Sequence, residues 1–289
     1  MTSLQAILIA ILQGATELFP VSSLGHAVLL PALAGWDIDQ HGATFLPFLV
    51  FLHLGTAAAL LIFFGRDWWA IASGTVGLGG AHQVAESRRV LLLIIVATIP
   101  AVIAGGLLEH MLRALFAAPA IVAGFLIVNA AMLLAGERLR ARQRTAAVGA
   151  GVQGGERKLS TLRAMDALVI GLWQCLALLP GISRSGSTIV GALLRGVDHE
   201  GAAHFSFLIA LPVILGATVL EVPKLLHADV PAGVFEQAAA AAVVAGVTAF
   251  ASTWFLMRWF RNHDDWALDP FAWYCAALGA ISLVVLLVV

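Results

Sequence analysis

The chain has 289 residues, of which 61% are hydrophobic and only 11% charged. Soluble domains average about 25% charged residues, and a soluble core could not hide this much apolar surface, so the composition predicts a polytopic helical membrane protein. The net charge of −1 says little, and the two cysteines, Cys175 and Cys275, sit in apolar stretches without metal-ligand spacing, which excludes a disulfide framework and leaves them as small packing residues.

No Lys or Arg precedes Arg66, so the positive region of a signal peptide is missing and the first apolar stretch is expected in the mature protein. A helix needs about 20 apolar residues to cross a bilayer. Leu4–Leu30 reaches that length but is broken at Pro20-Val-Ser-Ser. Thr44–Phe64, Val90–Leu108 and Ala117–Ala135 follow as uninterrupted spans. Glu137–Arg163 then collects Arg138, Arg140, Arg142, Arg144, Arg157, Lys158 and Arg163 among glycines, which predicts an exposed, flexible, cytoplasmic linker. Ala167–Leu194 is broken at Pro180-Gly-Ile-Ser-Arg-Ser-Gly. Ala203–Val222, Glu236–Met257 and Leu268–Val289 complete six spans.

Proline and glycine at the two breaks free backbone groups that lipid cannot satisfy, and such breaks persist only against protein or a wet cavity. Both broken segments are therefore expected to be re-entrant helix–loop–helix hairpins. The fold class is all-α: one integral membrane domain over residues 1–289, with six transmembrane helices plus two hairpins. By alternation the Arg66–Arg89 loop and the turn with Arg258 and Arg261 are cytoplasmic, the outer loops keep only Arg113 and Lys224, and both termini face outward.

The halves resemble one another. Leu18-Phe-Pro-Val-Ser-Ser-Leu-Gly parallels Leu178-Leu-Pro-Gly-Ile-Ser-Arg-Ser-Gly, and Leu54-Gly55-Thr56-Ala57 parallels Leu215-Gly216-Ala217-Thr218. Residues 1–136 form a first repeat, 137–165 the basic linker and 166–289 a second repeat. An odd number of spans per half inverts the second against the first, the plan that brings broken helices together near the midplane.

The polar chemistry is concentrated at the breaks. Gln13 and Glu17 share a helix face, and a carboxylate inside a bilayer needs a function or a partner. Ser22 or Ser23 can cap the helix after Pro20, which leaves one hydroxyl and His26 over. A lone His in an apolar helix is usually a packing residue, but the company of Glu17 favours catalysis. In the second segment Arg184 offers a planar fork suited to phosphate. Gly181 and Gly186 let the backbone turn and approach an anion, Ser183, Ser185, Ser187 and Thr188 add donors, and the following helix start adds partial positive charge. Small-residue helix packing would explain the glycines and serines but not the arginine. His53, mid-span, is expected to pack rather than line a cavity.

These segments resemble the signatures of the undecaprenyl-diphosphatase family of bacitracin-resistance type. The first signature, Glu or Gln, three residues, Glu, then Pro-x-Ser-Ser-x-Gly-His, is matched by Gln13, Glu17, Pro20, Ser22, Ser23, Gly25 and His26. The second, Pro-Gly-x-Ser-Arg-Ser-Gly-x-Thr, is matched by Pro180, Gly181, Ser183, Arg184, Ser185, Gly186 and Thr188. The resemblance implies hydrolysis of undecaprenyl diphosphate to the monophosphate and phosphate, which recycles the lipid carrier for peptidoglycan, and a multi-pass protein of the bacterial inner membrane with its site open to the periplasmic side. It implies that Glu17, Ser23, His26, Ser183, Arg184, Ser185 and Thr188 carry the site, with Glu17, Ser23, His26 and Arg184 expected as catalytic; Ser22, Gly186 and Ser187 join Ser183, Arg184, Ser185 and Thr188 as the expected phosphate-binding residues. It also implies a divalent cation, Mg2+, on Gln13 and Glu17. Many members carry a carboxylate where this chain has Gln13, whose amide oxygen can still bind a hard cation but brings no charge. Ser23, His26 and water all stay open as the nucleophile. The expected partners are the lipid substrate and membrane lipid, with a homodimer left open and no nucleic acid. The alternative is a polyprenyl-phosphate transporter or flippase without hydrolysis, because inverted repeats with broken helices are also a transporter plan.

Overall fold

The structure, a computed structural model, describes residues 1–38, 45–116, 118–149, 157, 159–226 and 233–288. Among them every element is a helix, apart from one bridge that pairs Arg157 with Val197, and short turns join the helices. The helices are α1 (Ser3–Thr16), α2 (Ser23–Leu33), α3 (Phe45–Phe63), α4 (Gly65–Thr75), α5 (Ala81–Phe116), α6 (Pro119–Gly149), α7 (Ala164–Gln174), α8 (Arg184–Leu194), α9 (His199–Leu226), α10 (Val234–Asn262) and α11 (Asp269–Val288). Five of these contain stretches long and apolar enough to cross a membrane, and α3 with α4, bent by 76° between them, makes a sixth. The count agrees with the spans read from sequence, and the outward faces carry the expected apolar side chains, among them Ile62, Leu107, Val219, Val243 and Leu287.

The two interrupted segments form short helices. α1 has 14 residues and α2, α7 and α8 have 11 each. At about 1.5 Å per residue none of the four reaches across a hydrocarbon core of about 30 Å. α1 packs on α10 and α7 packs on α5. Both contacts close on a glycine: a Cβ on Gly14 would lie 2.3 Å from the Ala245 carbonyl oxygen, and one on Gly171 would lie 2.5 Å from that of Ala97. Small residues let helix backbones approach this closely. The parallel between Gly55 and Gly216 does not extend to packing, since Gly55 presses on Ala242 whereas a Cβ on Gly216 would meet nothing within 4 Å.

The linker differs from its expected form. α6 continues through residues 137–149, because Glu137 and Arg140 are buried rather than solvated. Glu137 accepts hydrogen bonds from the Leu268 amide (3.2 Å) and His199 Nε2 (3.1 Å), and Arg140 donates to the Asp264 carbonyl. Residues 150–156 and Lys158 lie outside the described residues, as do the side chains of Arg113 and Lys224. At this same end Arg89 donates to the Ser160 carbonyl, Arg138 pairs with Asp269, and Arg261 pairs with Glu200. The basic joints α4–α5, α6–α7, α8–α9 and α10–α11 therefore gather at one end of the bundle.

Candidate functional site

The first break is built by its own residues. Glu17 caps the C-terminus of α1, its amide donating to the Gln13 carbonyl at 2.9 Å. Ser22 caps α2 with its side chain accepting from the Gly25 amide, and it holds a positive φ of 69°, a conformation a non-glycine residue adopts only under constraint. With Ser22 committed to the cap, Ser23 is the serine whose hydroxyl is left for chemistry. It donates to Glu17 Oε2 at 2.6 Å.

At the second break Ser183 caps α8 by accepting from the Gly186 amide at 3.1 Å. Gly181 has φ +102°, and a Cβ there would lie 2.4 Å from the Val122 carbonyl oxygen, so only glycine permits this turn to press on α6. The two tips touch: a Cβ on Gly25 would stand 3.4 Å from Gly181 Cα. Asn129 of α6 bolts them together. Its Nδ2 donates to the Pro20 carbonyl at 3.0 Å and its Oδ1 accepts from the Ser183 amide at 2.9 Å. Sequence reading passed over Asn129, although an amide alone in an apolar span is itself a signal of a buried polar partner.

A cavity of about 330 Å³ opens beside this junction, with Glu17, Ser22, Ser23, His53, Gln174, Ser183 and Arg184 as its polar lining and apolar walls from α3, α5 and α9. Glu17 is the centre of its polar side. Oε2 accepts from Ser23 Oγ and from Gln13 Nε2 (2.9 Å) and faces His53 Nε2 at 3.2 Å, while Oε1 stands 3.4 Å from Arg184 Nη2. Arg184 Nη1 donates to the Ser206 carbonyl of α9 at 3.1 Å, which aims the guanidinium into the cavity. The arrangement sets a hydroxyl against a carboxylate, and a guanidinium beside both. α2 and α8 start at the same place, adding partial positive charge.

The structure places three groups differently from the sequence reading. His26 does not line the cavity. Its Nδ1 lies 2.7 Å from the Ser22 carbonyl and its Nε2 2.7 Å from the Tyr274 hydroxyl, on whose ring it stacks, so both nitrogens are committed and the side chain steadies the Ser22 turn. His53, expected to pack, is the imidazole at the site. Its position one helix away from the first break hid this from the sequence. Ser185, Gly186, Ser187 and Thr188 lie behind the cavity wall: Ser185 donates to the Phe19 carbonyl, Ser187 to that of Ser183 and Thr188 to that of Arg184, and Gly186 packs on Pro20. These hydroxyls hold the tips in place. Of the expected phosphate contacts, Ser22, Ser183 and Arg184 line the cavity.

Among the described residues no group of three or more His, Cys, Asp or Glu gathers to hold a metal. Glu17 already faces four donor groups. Gln13 Oε1, by contrast, is buried without a hydrogen-bond partner, and an uncommitted amide oxygen suits a hard cation. Gln13 is not part of the cavity lining, so this oxygen is one spare ligand beside Glu17 and not a preformed cation site.

The model of the bacitracin resistance protein BacA family matches residues 6–281. The chain belongs to the BacA family. It is 66% identical over 285 residues to an undecaprenyl-diphosphatase of Granulibacter bethesdensis, covering 98% of this chain and 97% of that one. It is 59% identical over 286 residues to the enzyme of that name from Gluconacetobacter diazotrophicus, covering 99% and 98%. A Mycobacterium avium undecaprenyl-diphosphatase is 43% identical over 296 residues, covering 97% and 96%. The residues that suggested the BacA family from sequence are those that build the two touching tips.

Proposed function

We propose that this protein hydrolyses undecaprenyl diphosphate to undecaprenyl phosphate and inorganic phosphate, recycling the lipid carrier and conferring bacitracin resistance. The observation that carries the reading is the Ser23–Glu17–Arg184 constellation in a cavity with apolar walls, in a chain of the BacA family. The diphosphate occupies the polar side and the prenyl chain leaves along the apolar walls into lipid.

Arg184 binds the terminal phosphate and stabilises charge on its oxygens. Ser23 Oγ attacks the terminal phosphorus and gives its proton to Glu17. The new bond is Ser23 Oγ–P. The bond that breaks joins that phosphorus to the bridging oxygen, which leaves with the electron pair as part of undecaprenyl phosphate. Water then attacks the phosphoserine, Ser23 Oγ leaves and recovers its proton from Glu17, and both hydrogens of the water stay with the released phosphate or solvent. Ser23 is favoured over His26 because its hydroxyl already faces the carboxylate, whereas both ring nitrogens of His26 are occupied. A Mg2+ arriving with the diphosphate would supply charge neutralisation, with Glu17 at the cavity and Gln13 Oε1 behind its lining as the chain's own candidate ligands.

The proposed substrate supports location in the bacterial inner membrane, and positive charge at the joined loops supports a cytoplasmic placing of their end. The cavity is biased away from that end, since Ala101 of its wall lies about 18 Å along α5 from Arg89. That bias supports an opening on the outer side. The matching pair of contacts at Gly14 and Gly171, α1 on α10 and α7 on α5, supports the inverted repeat. Such repeats also suit a carrier, and one assay separates the two: purified full-length protein in detergent releases inorganic phosphate from undecaprenyl diphosphate as an enzyme, and releases none as a pure carrier.

A further inference from the structure

We infer that His53 is a positioning residue for this reaction: it holds Glu17 Oε2 over the Ser23 hydroxyl so that the carboxylate takes the attacking group's proton. The inference rests on the hydrolytic reading given above.

His53 Nδ1 lies 2.7 Å from the Leu49 carbonyl oxygen, one turn back on α3. A carbonyl only accepts, so Nδ1 carries a hydrogen and the ring plane is fixed by the helix that bears it. The opposite nitrogen, Nε2, faces Glu17 Oε2 at 3.2 Å. That contact is attractive only with a hydrogen between the two atoms. A carboxylate, like a carbonyl, only accepts, so both ring nitrogens carry hydrogen and His53 is an imidazolium clamped at one end to α3 and at the other to Glu17.

The clamp matters because Glu17 has two competing attractions. Ser23, Gln13 and His53 engage Oε2, while Arg184 stands beside Oε1 at 3.4 Å. Without His53, the remaining donors to Oε2, Gln13 and Ser23, both belong to the broken segment that carries Glu17, and no donor on α3 opposes rotation of the carboxylate toward the guanidinium. Oε2 would leave Ser23, and Arg184 would be neutralised by Glu17 instead of the incoming phosphate. A shift of about 1 Å in a reacting group can cost about 10²-fold in rate. Binding would change less, because Arg184 and the helix starts remain.

Methionine and glutamine have nearly the same length and shape, and only glutamine can donate to Glu17. The test compares phosphate release from undecaprenyl diphosphate by purified parent, His53→Gln and His53→Met proteins in detergent, with thermal unfolding recorded for each. His53→Met is expected to lose about 10-fold or more in kcat with KM within about twofold, and His53→Gln to stay within about threefold of the parent. His53→Ala is run alongside and should follow His53→Met, which keeps the test decisive if the thioether misfolds. Equal kcat in the Gln variant and the folded non-donor variant, parent-like kcat in either non-donor variant, or a rise in KM with unchanged kcat would overturn the inference. A parent protein that releases no phosphate would instead remove the hydrolytic reading itself.

Discussion

Glu17 Oε1 and Arg184 Nη2 stand 3.4 Å apart at the junction of the two broken segments, although 167 positions separate them in the chain. A buried ion pair is weak evidence for stability, because desolvation offsets much of the attraction. Here the pair is long, lines a cavity, and leaves the guanidinium able to exchange its partner for a phosphate. That exchange gives two costly buried charges a purpose.

Arg184→Ala removes the group that meets the developing charge. Turnover should fall by about 10²–10³ in kcat. Arg184→Lys keeps the charge but not the planar fork, so it should recover only part of the loss. Phosphate release from the purified variants measures both, and parent-like turnover by Arg184→Ala would remove its role.

The two adjacent serines should separate cleanly. Ser23→Ala deletes the hydroxyl on Glu17 and should reduce kcat by about 10³ or more. Ser22→Ala loses a helix cap, at a cost of about 0.5–2 kcal/mol, and should show mainly as a lower unfolding temperature in detergent. Protein incubated with substrate labelled at the terminal phosphate, quenched in denaturing detergent and split between acid and alkaline work-up, should carry an acid-stable, alkali-labile label on Ser23. Label on His26 would contradict the assignment.

Asn129→Leu should destabilise the protein although Asn129 does not line the cavity. It orphans the Pro20 carbonyl and the Ser183 amide, and each unsatisfied buried group costs about 1–3 kcal/mol. A thermal unfolding midpoint equal to that of the parent would show that the tips are held by other contacts.

The spans were legible because hydropathy and length decide them. The breaks were legible because proline and glycine leave backbone groups that lipid cannot serve. What sequence could not supply was direction around a helix axis. His26 follows Ser23 by three residues, yet its ring turns to Tyr274 on α11, while His53, far along the chain, turns to Glu17. The cluster Ser185, Ser187 and Thr188 reads as a row of phosphate donors until its hydroxyls are seen to bond Phe19, Ser183 and Arg184 carbonyls. Glu137 and Arg140 read as part of a solvated linker because their charges resemble those of neighbours that do face water, and only tertiary contact with His199 and Asp264 reveals the clasp.

Asp166 gives an acid limit to stability. It lies at the polar start of α7, outside the six candidate spans, and accepts from Arg157, Arg195 and the Arg163 amide. Burial raises its carboxyl pKa, but these donors outweigh it and hold the pKa at about 2, below the ordinary value of 3.8. A depressed carboxylate stabilises the fold above its unfolded pKa and loses that contribution as pH falls through the folded one. The parent should therefore lose stability between about pH 4 and 2, and Asp166→Asn, less stable at pH 7, should show a shallower decline there. Identical profiles would exclude the contribution.

The claim that both broken segments serve one reaction is tested most directly by a double-mutant cycle on turnover with Glu17→Gln, Arg184→Ala and their combination in purified, folded protein. Each single change should lower kcat for phosphate release by about 10²-fold or more, and the double variant should lose little beyond the worse single, as residues acting as one unit do. Losses that multiply as for independent positions, or single variants that turn over like the parent, would contradict a shared site.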